Sequence, residues 1–535
     1  MNKMNQITCI VFVLLFQINT FAQSNQKYWI FFKDKDVASV SNSVSNETLQ
    51  KRLQQGLSLY QFTDLPLKQQ YLQVLKANEI QPIVCSKWLN AASGYIAENQ
   101  LVYLKSLPFV KQIIPVKSKQ IALGTSPVSK TQTYNYALQM LSAEIFEQEK
   151  LTAKNVKIGV IDAGFSLSDK DSLLQHLFKN QQIVAKRDFL HKHHDSLFFK
   201  MGTDDFHGTE VLQNLAGNHP NQKEQTKGLA KDALFYLAKT ENVEKEYRGE
   251  EDLWVAAMEW MDSVGVQLIN TSLGYAQEMD EPLQNYQIEE MDGATTVIAK
   301  ASKIAVNEKG IFLVVAAGNE GRNSKWKIVT SPADCEDVLS VGAVNGEWLK
   351  ESYSSIGSSL VPFVKPDVSG FSTNGTSFSS PLIAGFVACL LQKDPYIQPK
   401  ALKEIVVKSG HLSPFKNNYV GTGVPQADKA FVLLGGKDGC GGPITFTNTM
   451  QFSTKDDFII LSIDNKEIYP LIAFHKKDKY FVIEQEELKI SLASPSKLDK
   501  LLKKTKKPEI KITKPEGAQY STIQLGMSII EVKWE

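Results

Sequence analysis

The sequence predicts an α/β core built on a mostly parallel sheet, with a small α+β unit before it and a β-rich unit after it. Three observations carry that reading. Between about 135 and 436, near-continuous apolar runs alternate with helical stretches: VKIGVI (156–161), LINTSL (268–273), IFLVVAA (311–317) and VLSVGAV (338–344). Strands buried on both faces of a parallel sheet read this way. Ahead of them, shorter β-like runs alternate with amphipathic stretches. Behind them, GGKDGCGG (435–442) breaks the chain, and only short alternating runs follow.

Taken in order, the first residues are a targeting segment. Lys3 precedes the apolar run ITCIVFVLLF (7–16), and Thr20 and Ala22 are the small residues of a cleavage site near Gln23. The run is too short for a bilayer, which needs about 20 apolar residues. The expectation is therefore a signal peptide over 1–22, export, and no transmembrane segment. From 23 to 121, YWIFFK (28–33), GYIAE (94–98) and VKQIIPV (110–116) read as strands. LKQQYLQVLKANEI (67–80) and LVYLKSL (101–107) read as helices, completing a small α+β unit. ALGTSPVSKTQTY (122–134) is an exposed linker by its Gly, Pro, Ser and Thr. The α/β unit occupies 135–436. The last unit, 437–535, is antiparallel and lysine-decorated, with strands at FIILSI (458–463), YFVIE (480–484), LKISL (488–492), IKITK (510–514) and SIIEVKW (528–534).

Composition narrows the class. At 535 residues the chain exceeds one ordinary domain, and 27 Phe, 17 Tyr and 7 Trp supply large cores. Lys+Arg 59 against Asp+Glu 58 leaves a formal +1, so no global basic field is present to hold nucleic acid. Cys9 leaves with the signal. Cys85, Cys335, Cys389 and Cys440 show no CxxC spacing and suggest neither zinc nor a thioredoxin-type site.

Four places in the α/β unit carry chemistry. Asp162 ends the strand VKIGVI, where open parallel sheets gather functional groups. His207 opens the helix HGTEVLQNLAG (207–217), with Gly208 allowing close backbone approach; histidine is the side chain suited to proton transfer near neutral pH. Ser377 lies where NGTSFSSPLIAGFVACLLQ (374–392) enters a long apolar helix, with Pro381 expected in its first turn. It is either an N-cap or a nucleophile facing the backbone N–H groups of a helix start. Asn319, in GNEG after IFLVVAA, is either an Asx-turn residue or an amide donor at a strand end.

Together these residues resemble the subtilisin-like serine proteases (subtilases), whose triad runs Asp, His, Ser along the chain. The match rests on VKIGVIDAG, HGTEV, INTSLG (269–274), VAAGNEG (315–321) and NGTSFSSP, with VKPDV (364–368) and SYSSIG (352–357) also fitting. It covers most of 135–435. The order excludes the chymotrypsin and α/β-hydrolase arrangements. The resemblance implies a three-layer subtilisin-like fold and a secreted endopeptidase working through an acyl-enzyme. Ser377 would be its nucleophile, His207 its general base, Asp162 the group orienting the imidazole, and Asn319 an oxyanion donor. His207 should then lie within hydrogen-bond reach of both partners. Ser272, Leu273 and Gly274 should line one side of the cleft, and Ala316, Ala317 and Gly318 the other. That pocket reads as apolar, with Glu320 near its rim.

The chain departs from the family in Ala163, where Ser or Thr is common, and in Glu210, where a second His is common. Neither removes a catalytic group. The unit before the linker resembles the family's inhibitory propeptides, most clearly over 88–116. This implies a ferredoxin-like domain that acts as an intramolecular inhibitor and is released by cleavage between about 121 and 133. Protein or peptide substrates and the chain's own propeptide are the implied partners, and no cofactor is implied. Structural calcium is frequent in the family, but no carboxylate loop here has an assignable ligand pattern. HKHHD (191–195) lacks spacing that fixes coordination geometry and reads as a polar surface loop, so no metal site is expected. The rival reading is a secreted binding or adhesion protein on an inactive scaffold. The complete set Asp162, His207, Asn319 and Ser377 argues against it.

Overall fold

The computed structural model describes residues 26–36, 44–116, 135–191, 198–200, 206–219, 226–241, 250–276, 285–435, 450–455, 458–463, 471–488, 509–525 and 528–534. The signal segment, the linker, most of HKHHD, most of LKISL and Cys440 lie outside them.

The first unit contains β1 (Gln26–Phe32), α1 (Asn46–Gln54), α2 (Gln69–Ala77), β2 (Cys85–Ser86), β3 (Ala91–Ile96), α3 (Glu98–Ser106) and β4 (Val110–Pro115). Its sheet has the order β2-β3-β1-β4 and is antiparallel throughout. Strand alternation splits β1 between two cores. Ile30 and Phe32 pack with Leu75 and Leu104 beneath α2 and α3. Trp29 faces the other way and joins a cluster containing Trp254 and Met258 of the next unit.

That unit runs through α4 (Asn135–Met140), α5 (Glu144–Gln148), β5 (Lys157–Asp162), α6 (Gln175–Lys179), β6 (Ile183–Asp188), α7 (His207–Ala216), β7 (Leu234–Lys239), α8 (Glu251–Ser263), β8 (Leu268–Thr271), α9 (Val297–Asn307), β9 (Phe312–Ala316), β10 (Leu339–Val344), β11 (Val368–Phe371), α10 (Thr376–Lys393), α11 (Pro399–Lys408) and α12 (Ala427–Leu433). The seven strands form one sheet, β11-β10-β9-β8-β5-β7-β6, parallel at every pairing. Helices cover both faces. Ile158 and Val160 of β5 belong to the core that includes residues of α7 and α10, and Ile161 to the core of α8 and α9. The expected apolar runs all appear as strands because both faces are buried.

The last unit holds β12 (Met450–Lys455), β13 (Phe458–Ile463), β14 (Leu471–Lys476), β15 (Val482–Leu488), β16 (Glu509–Thr513), β17 (Tyr520–Leu525) and β18 (Ser528–Lys533). They form antiparallel sheets β12-β13-β16 and β15-β14-β17-β18. β14 is buried along its whole length. Leu471 and Ala473 fill the core between the two sheets, while Ile472 and Phe474 pack into the α/β core. Asn418 N–H donates to Tyr480 O at 3.1 Å and Val482 N–H donates to Asn418 Oδ1 at 2.9 Å, so hydrogen bonds cross the same seam. No helix of the described residues is long and apolar enough to cross a membrane.

Candidate active site

Asp162 is the last residue of β5 and is fully buried. Its Oδ1 accepts from Ala163 N–H at 2.8 Å and shares a 2.7 Å hydrogen bond with His207 Nδ1. Its Oδ2 has no partner among the described residues. That is the place where a hydroxyl at position 163 would be useful, and this chain has alanine. His207 is the first residue of α7. The helix start is fixed on the loop after β5 by Gly208, whose N–H donates to Gly164 O at 2.8 Å. A Cβ at 208 would lie 2.3 Å from that same oxygen, so the approach requires glycine. Glu210 is exposed, whereas Asp162 and His207 are buried.

Ser377 is the second residue of α10, and Gly375 is the cap. The N-cap alternative for Ser377 is thereby overturned. Gly375 has φ +141, a conformation that side chains disfavour, and this turn delivers Thr376 and Ser377 to the helix start. Pro381 was expected in the first turn, but the helix begins at Thr376, so it falls in the second. There its missing N–H leaves a carbonyl unpaired four residues back, and that carbonyl belongs to Ser377. Ser272 Oγ donates to it at 2.9 Å. Asn270 Nδ2 in turn donates to Ser272 Oγ at 3.1 Å, and Ser380 Oγ donates to Asn270 Oδ1 at 2.8 Å. The end of β8 is thus tied to the start of α10.

Ser377 Oγ donates to Ser272 O at 3.3 Å. Among the described residues no hydrogen bond joins it to His207, so the expected double reach of His207 is met on the Asp162 side only. The His207 ring lies against Phe378, with centroids 5.6 Å apart, which sets α7 and α10 side by side. Catalytic hydrogen bonds are commonly long before substrate arrives.

Asn319 follows β9. Its Oδ1 accepts from Thr376 N–H at 2.9 Å and from Thr376 Oγ1 at 3.1 Å. Acceptance from a backbone N–H fixes which end of the amide is oxygen, so Nδ2 is a donor held beside Gly375. The Asx-turn alternative is not what the amide does here. A narrow cavity of about 30 Å³ is lined by Ser272, Leu273, Gly274, Ala316, Gly318 and Asn319, together with Glu320, Thr330, Thr376 and Ser377. Ala317 is the exception among the expected cleft residues. It is fully buried behind the wall, its N–H donating to Val341 O at 2.9 Å and its carbonyl accepting from Thr330 N–H at 3.1 Å.

Sequence reasoning missed Thr376, Thr330, Asn270 and Ser380. Pro381, four residues beyond Ser377, was the available signal that the Ser377 carbonyl needs an outside donor. Thr330 had no such signal; it meets Gly274 only through tertiary folding, and a Cβ on Gly274 would lie 2.1 Å from Thr330 Oγ1. His191 is exposed and contacts Asp188, 3.3 Å from Nδ1 to Oδ2. Among the described residues no group of His, Cys, Asp and Glu is placed to hold a metal ion.

Both the α/β unit and the unit before it are similar to known proteins. The model of the Subtilase family matches residues 153–429. A second, the Peptidase S8 propeptide domain of Bacteroidota, matches residues 27–134. Subtilisin DY of Bacillus licheniformis is 27% identical over 282 residues, covering 51% of this chain and 89% of its own. The minor extracellular protease Epr of Bacillus subtilis is 26% identical over 303 residues, 54% of this chain and 40% of its own. The crystal structure of the epidermin leader peptide processing serine protease of Staphylococcus aureus has the same fold. It matches at a TM-score of 0.52 and 16% identity, covering 78% of this chain and 100% of that one.

Proposed function

The chain belongs to the subtilase family and is a serine endopeptidase, and from that premise we propose that Asp162, His207 and Ser377 are its triad. Ser377 Oγ leaves its contact with Ser272 O, transfers its proton to His207 Nε2 and attacks the peptide carbonyl. The tetrahedral intermediate collapses to an acyl-enzyme as His207 returns the proton to the leaving amine, and water then repeats the sequence to release the acid. Asp162 orients the imidazole and stabilises its cation through the Nδ1 bond. The oxyanion meets Asn319 Nδ2 and the Ser377 N–H, both at the positive end of α10. The single observation that carries the assignment is the 2.7 Å Asp162–His207 bond beside a helix start whose first residues are clamped by Asn319 and Ser272.

The same reading makes the N-terminal unit an inhibitor and the linker its cleavage site. Both described ends of the linker lie at the edge of the sheet where the strands finish. Val116 N–H donates to Lys27 O at 2.9 Å, and Lys27 Nζ donates to Asp252 Oδ1, 2.7 Å away, at the start of α8. On the other side, Tyr136 Oη donates to Gly346 O at 2.5 Å, just beyond β10. A first cut made by the chain's own active site is intramolecular and favoured by local concentration. Export is supported by the signal-like N-terminus and by the extracellular relative.

A fluorophosphonate probe tests the chemistry directly. Wild type labels at Ser377, whereas Ser377→Ala does not; an unlabelled wild type overturns the enzyme reading and leaves the inactive scaffold. N-terminal sequencing tests maturation. Wild type yields a fragment starting between about 121 and 133, and Ser377→Ala retains the linker intact. Equal processing of the two assigns the cut to another protease.

A further inference from the structure

The first unit has the β-α-β-β-α-β order of a ferredoxin-like fold in β1, α2, β2, β3, α3 and β4. An insertion separates β1 from α2, and its described part, 44–68, carries α1. No residue of α1 joins the apolar core beneath α2 and α3. The inserted segment instead reaches the edge of the parallel sheet where strands begin, opposite the cleft. Lys51 Nζ donates to Val266 O at 3.3 Å, just before β8. Gln55 Nε2 donates to Gly310 O at 3.3 Å, just before β9, and to Ile397 O at 3.4 Å, while Gln398 Nε2 donates back to Gln55 O at 2.7 Å. Gly310 has φ +64, and a Cβ there would lie 2.0 Å from Gln55 Oε1. Asp64 accepts from Arg52 at 2.7 and 3.0 Å and from Lys309 Nζ at 2.7 Å. The three side chains are 0%, 1% and 0% exposed for Arg52, Asp64 and Lys309.

This triad of charges crosses the boundary between the two units, since Lys309 lies in the α9–β9 connection of the α/β unit. Removing one member of a buried pair leaves the other charge uncompensated, which is strongly destabilising. A second foothold lies on α8. There Glu259 accepts from the N–H groups of Lys87 and Trp88 at 3.1 and 3.0 Å, and Lys27 pairs with Asp252. Two footholds on one folded unit multiply, because holding one keeps the other at high local concentration.

We propose that segment 45–64 is a second anchor of the N-terminal unit. It docks on a surface formed by Val266, Lys309, Gly310, Ile397 and Gln398, so that cutting the linker does not release the unit. This rests on the inhibitor reading above and adds to it the site that sets how long the inhibited pair survives.

The test uses the full-length Ser377→Ala chain with a recognition sequence for an unrelated protease placed within 122–134. After cutting, co-elution of the N-terminal fragment with the remainder is followed by size exclusion. The parent pair stays together, and Lys309→Met and Gln55→Ala each speed its loss at least about tenfold. Rates unchanged by both substitutions, or immediate loss of the parent fragment, overturn the anchor. Amide hydrogen exchange on the parent protein gives an answer independent of any variant's folding. Protection at 264–267 and 309–312 persists after cutting, and its disappearance overturns the proposal. The inhibitor reading fails separately: a cut chain with Ser377 intact that remains paired yet hydrolyses peptides at full rate refutes inhibition while leaving the anchor standing.

Discussion

Asn319 makes two bonds through its oxygen to Thr376, and that rigidity is what an oxyanion donor needs, since the amide cost of orientation is met before substrate arrives. Asn319→Ala is expected to lower kcat by roughly 10²–10³-fold with KM nearly unchanged, because the lost contact is to charge present only in the transition state. Steady-state kinetics on a peptide substrate decide it, and a raised KM with kcat intact would make Asn319 a substrate-binding residue. Gly274 acts differently. A side chain there meets Thr330 across a cavity with room for little else. The added Cβ narrows the space left for a substrate group, so Gly274→Ala is expected to lower kcat/KM by roughly 10–100-fold. Fluorophosphonate labelling of Ser377 persists, which separates a blocked pocket from a broken triad. At this scale the motifs were legible: Asp162, His207, Asn319 and Ser377 all lie at strand ends or helix starts, as read. The Ser377 carbonyl bond to Ser272 and the burial of Ala317 were not, because each depends on how one element faces another.

Among the elements, the segment carrying α1 shows how far local reading falls short. Its sequence is polar, α1 buries only Thr48 and Arg52, and nothing in its periodicity announces a partner. The partner is Lys309, far along the chain. Burial would raise the Asp64 carboxyl, but the Arg52 and Lys309 donors outweigh it and hold it down at about 2. A depressed carboxylate contributes stability above its unfolded pKa, near 4, and loses it as pH falls through the folded value. Arg52 stays with Asp64 on undocking and only Lys309 is lost, so docking should show no Asp64-dependent change from neutral pH down to about 4 and should weaken as pH falls from there toward 2. Asp64→Asn removes that step. Size exclusion of the cut Ser377→Ala pair across this range, compared with Asp64→Asn, isolates the Asp64 contribution from Glu259 and Asp252 at the other foothold. An identical acid profile in the two proteins would deny Asp64 this role.

Over the whole molecule, the β-rich unit is part of the same packed body as the α/β unit. His411 lies at their seam. Its Nδ1 accepts from Val424 N–H at 2.7 Å, its Nε2 bonds Gln524 Oε1 at 3.2 Å, and Trp348 lies edge-on to its ring. Burial pushes its pKa down to about 3. A histidine held neutral stabilises the fold above its unfolded pKa, near 6.5, and that contribution is lost progressively as pH falls toward 3. Thermal unfolding is expected to show stability falling below pH 6.5, and His411→Gln is expected to flatten that part of the profile. An unchanged slope would place the acid sensitivity elsewhere. The sequence by itself determined the class of the central sheet, the order of the Asp162, His207 and Ser377 motifs along it and the α+β character of the first unit, because burial on two faces and residues at strand ends leave local patterns. Only the tertiary structure decided which face of β14 meets which core, why Pro381 is tolerated beside Ser377, and where segment 45–64 docks. Those outcomes depend on pairing between residues hundreds of positions apart, and a polar or doubly buried segment carries the same local pattern whichever partner it finds.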